Sequence, residues 1–82
     1  NMLMKKEMET KGRVFSVIYE PAIEGGYVVS VPSLPGCYSQ GETVEDAQKN
    51  IQEAIELYLE ETKGDTSIQE SYPIIGTVLV YA

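Results

Sequence analysis

The sequence predicts a two-layer α+β domain in the order β-β-β-α-β, an antiparallel or mixed sheet with one helix on one face. Two observations carry that prediction. Segments rich in β-branched and aromatic residues recur at 13–20, 27–31 and 74–81. Between the second and third of them, apolar residues at 44, 47, 51, 54, 55 and 58 follow the 3.6-residue period of a helix with one buried face.

The elements follow in order. Residues 1–12 (NMLMKKEMETKG) carry no turn chemistry and only a short, irregular pattern, so a flexible N-terminal arm is expected, with the domain proper over 13–82. Asn1 ahead of Met2 reads as a remnant of tag cleavage. In RVFSVIYE, Val14, Ser16, Ile18 and Glu20 fall on one face and Phe15, Val17 and Tyr19 on the other. Both faces hold apolar groups, so the pattern leaves open which one meets the core and which becomes an exposed apolar patch. Pro21 ends this strand, Glu24-Gly25-Gly26 permits a reversal, and Tyr27 to Val31 returns as the second strand of a hairpin.

Pro32 and Pro35 then interrupt the ladder, because neither can donate a backbone N–H. A short third strand is expected at Cys37 to Gln40. Thr43 is an N-cap, and Glu45 and Asp46 sit in the first turn, where the helix dipole favours negative charge. The helix is expected to bury Ala47, Ile51, Ala54, Ile55 and Tyr58 and to stop at Gly64. Ile74 to Tyr81 (IIGTVLVY) is the last predicted strand, with Gly76 marking a bend or bulge.

Composition narrows the function. Thirteen acidic residues against six basic ones give the 82-residue chain a formal charge of −7. Such a surface repels phosphate backbones, which argues against direct nucleic acid binding and suits either a basic protein partner or plain solubility. A single cysteine, Cys37, excludes an internal disulfide and fits a reducing compartment, so a cytoplasmic protein is expected. No apolar run is long enough to span a membrane. So small a domain gains from association, and a homo-oligomer, dimer or tetramer, is expected through strand edges or the free sheet face.

The ordered combination Glu20-Pro21, Gly25-Gly26-Tyr27-Val28-Val29, Val31-Pro32-Ser33-Leu34-Pro35-Gly36-Cys37, Gln40-Gly41-Glu42-Thr43 and the helix closing on Leu57-Tyr58-Leu59-Glu60 resembles the N-terminal domain of HicB antitoxins. The resemblance covers most of the chain. It implies a fold similar to a degraded ribonuclease H and a partner, a HicA-type toxin, which is a small basic ribonuclease acting on messenger RNA. Many HicB proteins carry a further C-terminal DNA-binding segment. None is present in these 82 residues, so promoter binding is not expected of them.

Two regions are candidates for partner binding. Between Val44 and Thr62 the helix carries six acids against Lys49 alone, and Glu45, Glu53 and Glu56 are the residues singled out; a solvated face is the plain alternative. In the loop, Pro32 and Pro35 stiffen the backbone around Leu34, which reads either as an exposed residue that inserts into a partner or as a cap on the core. Tyrosines such as Tyr27, Tyr38, Tyr72 and Tyr81 suit interfaces, whereas Tyr58 lies on the apolar stripe.

Catalysis is not expected, and neither a cofactor nor a metal. Two-metal phosphodiester hydrolysis needs converging carboxylates, for which Glu20, Glu24 and Glu42 are the available acids. There is no histidine to act as base or ligand, and Cys37 has no evident activator. The resulting expectation is an antitoxin-like module that covers a basic toxin. An oligomeric adaptor without a toxin partner is the alternative, and a residual metal-dependent nuclease the remote one.

Overall fold

The computed structural model describes residues 12–68 and 71–82. The arm expected at residues 1–12 lies outside them except for Gly12. Three strands, β1 (Ile18–Pro21), β2 (Tyr27–Ser30) and β3 (Tyr38–Gly41), form an antiparallel sheet in the order β1-β2-β3, and one helix, α1 (Val44–Glu61), follows. The fold is α+β, as the alternation of periods predicts.

The sheet register assigns the faces. Tyr19, Val29 and Ser39 lie opposite one another, as do Pro21, Tyr27 and Gly41, and these rows face α1. Ile18, Ser30 and Tyr38 form a row on the other face, beside Glu20, Val28 and Gln40. Phe15, Val17 and Tyr19 are therefore the inward set, half-buried against the core, and Val14, Ile18, Val28 and Tyr38 are the exposed apolar residues. The core itself is Val29, Val31, Leu34, Cys37, Ala47 and Ile51.

Residues 13–17 lie outside the ladder, so the first paired strand starts at Ile18 rather than Arg13. β2 pairs with β1 as far as Ser30; the Val31 N–H points to the β3 side, donating to the Cys37 carbonyl at 3.0 Å, and Pro32 has no N–H to offer β1.

α1 starts as its cap predicts, with the Thr43 hydroxyl accepting from the Asp46 N–H at 3.0 Å. It ends at Glu61, and Gly64 takes up the left-handed conformation (φ 79°) just beyond the cap residue Thr62. Only Ala47 and Ile51 are buried on the helix; Ala54, Ile55 and Tyr58 are half-buried. The helix lies across β3 and β2, so its side toward β1 is not covered.

The predicted fourth strand is a correction. Residues 71–82 belong to no strand, and Ile74, Val78 and Tyr81 are 98%, 88% and 92% exposed. An extended segment becomes a strand only when another backbone accepts its N–H and C=O groups. Composition reports the preference for that state and not which chain supplies the neighbour.

Candidate protein-binding site

The meander places the β1–β2 turn and the start of α1 at the same end of the sheet, because Pro21, Tyr27 and Gly41 lie in one row. Gly26 (φ 72°) lies against the end of β3: a Cβ there would sit 2.7 Å from the Gly41 carbonyl oxygen. Gly41 in turn lies under α1, where a Cβ would come within 2.7 Å of the Asp46 carbonyl carbon and 2.8 Å of Ala47 Cα. Asn50 fastens the helix to the β3 backbone, its Nδ2 donating to the Gln40 carbonyl at 2.7 Å.

These close approaches bring Glu24 from the turn, Glu42 from just after β3, and Asp46 and Glu53 from α1 around one open cleft, with Lys49 the only basic residue lining it among the described residues. Along the outer face of α1, Glu45, Lys49, Glu53, Glu56 and Glu60 recur at intervals of three and four residues and are all exposed. Glu53 belongs to both surfaces, so cleft and helix face are continuous.

Glu45, Glu53 and Glu56, singled out from the sequence, thus share one exposed face. The loop behaves differently. Leu34 is 1% exposed and belongs to the core, so its side chain is not available to insert into a partner. The loop folds Leu34 inward by local hydrogen bonds: the Leu34 N–H donates to the Val31 carbonyl and the Cys37 N–H to the Leu34 carbonyl, both at 3.0 Å. Pro32 is half-buried and Pro35 exposed, and the Pro35 carbonyl accepts the Tyr58 hydroxyl at 2.9 Å.

Glu24, Glu42 and Asp46 were not among the residues expected to bind a partner. The signal was present: an antiparallel meander must put the first turn beside the end of the third strand, and the helix starts there.

The described residues contain no group of three or more His, Cys, Asp or Glu side chains arranged to hold a metal ion. Glu24 and Glu42 line the cleft, whereas Glu20 belongs to the row on the face away from α1. Cys37 is buried and unpaired, and burial pushes its thiol above the ordinary range, the reverse of what an activated nucleophile requires. Asp65 accepts from the Ser67 hydroxyl at 2.6 Å and the Ser67 N–H at 2.9 Å, and these bonds lower its carboxyl below the usual value. They close the turn after the helix.

The described residues form a small α+β scaffold whose cleft and outer helix face are acidic. The family model described as HicB_like antitoxin of bacterial toxin-antitoxin system matches residues 15–78, and the chain belongs to that family. It is similar to a UPF0150 protein of Archaeoglobus fulgidus, 47% identical over 49 residues that cover 60% of this chain and 71% of the relative. A UPF0150 protein of Synechocystis is 52% identical over 46 residues, 56% of this chain and 58% of the relative. A UPF0150 protein of Thermotoga maritima is 34% identical over 65 residues, 77% of this chain and 85% of that protein. No helix among the described residues is long and apolar enough to cross a membrane.

Proposed function

We propose that this chain neutralises a small basic toxin of the HicA type by laying its acidic surface over the toxin's RNA-binding and catalytic surface. The observation that carries the reading is the continuous acidic surface formed by the cleft and the outer face of α1, in a chain of the antitoxin family. An RNA-cleaving toxin must hold a polyanion, so its working surface is basic, and a protein with the opposite potential competes for it.

The helix supplies a second support. Glu60 and Glu61 occupy the last turn of α1, which contains no basic residue. The carboxyl end of a helix disfavours negative charge, so these residues work against the element that carries them. Charge kept at a local cost points to a role outside the fold. Blocking the toxin requires no catalysis, cofactor or metal from this chain.

The test is titration of a small basic HicA-type protein from the same genome with the wild-type chain and with Glu53→Lys/Glu56→Lys. The double reversal should weaken association at least 10-fold, with a shallower salt dependence. Unchanged affinity would remove the acidic face from the interface. No association by the wild-type chain would leave the adaptor reading in its place.

A further inference from the structure

Residues 74–81 and the side of the sheet beyond β1 have complementary deficits. Ile74, Ile75, Val78, Leu79, Val80 and Tyr81 are between 68% and 98% exposed, and alternation puts apolar residues on both sides of the segment. A run apolar on both sides is the pattern of a strand covered on both faces. The segment does not return to its own body. The molecule measures 62 × 27 × 24 Å with a radius of gyration of 16.4 Å. A compact chain of this length has a radius of gyration of about 12 Å.

Beyond β1 lies the matching vacancy. β1 is an edge of the sheet, paired only with β2 among the described residues. Beside it runs an apolar groove of about 770 Å³, floored by Phe15, Val17 and Tyr19 and walled by Ile51, Ile55 and Leu59 of α1. The half-buried state of those side chains is the state of a core that lacks one strand.

Two features restrict the described residues that lead into the tail, Ser71 to Pro73. The Ser71 N–H donates to the Ser33 carbonyl at 3.0 Å, and Pro73 holds Tyr72 out of helical conformation, favouring a straight continuation over a return. A short stiff hinge followed by an unpaired strand is the arrangement from which identical chains exchange elements.

We propose that residues 74–81 of one copy form the fourth strand of a second copy, laid along its β1 edge with apolar side chains in the groove between Phe15, Val17, Tyr19 and Ile51, Ile55, Leu59, and that two copies exchange these strands reciprocally. The acidic cleft lies at Glu24, Glu42, Asp46 and Glu53, none of which lines the groove, so exchange leaves the cleft open; of the outer face of α1, Glu56 alone borders the groove, and sedimentation reads the chain without toxin. The two proposals stand or fall separately.

The experiment is complementation by sedimentation of full-length chains. Val78→Glu/Leu79→Glu removes the strand's apolar character at exposed positions, and Ile55→Glu charges the groove. The wild-type chain should be a dimer at micromolar concentration, and each variant should dissociate at least 100-fold more readily. Mixed together, the two variants should form a heterodimer, since one intact strand then meets one intact groove. A wild-type monomer would overturn exchange, and a dimer retained by Ile55→Glu would place the contact elsewhere. Should Ile55→Glu fail to fold, amide exchange of the wild-type chain decides. Residues 14–17 and 74–81 should be protected together and lose protection together in the tail variant; protection of 74–81 alone would overturn the assignment.

Discussion

The Tyr58 hydroxyl donates to the Pro35 carbonyl at 2.9 Å, joining the last turn of α1 to a loop 23 residues earlier. Both ends of this contact serve the fold. Tyr58 lies half-buried against the core, and Pro35 closes the loop that seals Leu34 inside. Pro35 cannot donate, but its carbonyl is free to accept, so the bond uses the one polar backbone group the residue has.

Tyr58→Phe keeps the ring and deletes the bond. The contact is open to water, so the loss should be at the lower end for a neutral hydrogen bond, roughly 0.5–1 kcal/mol, in urea unfolding. Amide exchange at Leu34 and Cys37 should accelerate as the loop loosens. An unchanged midpoint together with unchanged exchange would show that packing alone holds the loop.

Gly41→Ala tests the close approach of β3 to α1. The new methyl would meet backbone atoms of Asp46 and Ala47, which cannot rotate away as a flexible side chain would. Overpacking of this kind costs about 1–3 kcal/mol, and the helix should tilt from β3 and weaken the Asn50–Gln40 bond. Gly25→Ala is the control. Nothing lies within 4 Å of its Cβ, so any loss there comes from its positive φ of 101°. A Gly41→Ala chain as stable as the wild type would mean that the helix backbone yields.

How much of this was legible in the sequence depended on the range of the interaction. The helix and its cap were readable because Thr43 and Asp46 are three residues apart and the stripe repeats locally. The inward face of the first strand was not, since apolar residues occupy both faces and only the register with Val29 selects one. Leu34 was ambiguous for a related reason: two prolines report a stiff turn without saying which way its side chain points. The tail shows the limit most clearly. Ile74 to Tyr81 has a strand's composition, yet strand pairing requires a second backbone whose position no local pattern contains. At the site, Glu45, Glu53 and Glu56 were readable from helical spacing, whereas Glu24 and Glu42 needed the topology of the meander.

Cys37 predicts a pH dependence with a definite sign. Burial raises the thiol's folded-state value above the 9.0 of an unperturbed thiol, and ionisation of the unfolded thiol marks the onset. Below that onset both states hold the proton and the contribution to stability is fully present. As pH rises toward the folded value, only the unfolded state releases its proton, and stability falls. The wild-type chain should therefore lose its advantage over Cys37→Ala as pH rises above this onset, in paired denaturant titrations. The native thiol should also react with a disulfide reagent at least 10-fold more slowly than the unfolded one. A constant difference between the two chains across that range would mean that the folded thiol ionises as freely as the unfolded one.

Glu61→Lys should separate stability from binding. A lysine in the last turn of α1 places positive charge near the exposed carbonyls, where the dipole favours it by roughly 0.3–1 kcal/mol at low salt. It also removes one of two adjacent acids, Glu60 and Glu61, that repel each other. Urea unfolding of the variant should therefore shift to higher denaturant, and the gain should shrink as salt screens it. If the acidic surface serves the toxin, the same substitution should weaken association with it. Stability and affinity then move in opposite directions, as expected for charge held against the preference of its own helix. A substitution that raised stability and left toxin affinity unchanged would confine the contact to the cleft and the earlier turns of α1, around Glu45, Glu53 and Glu56.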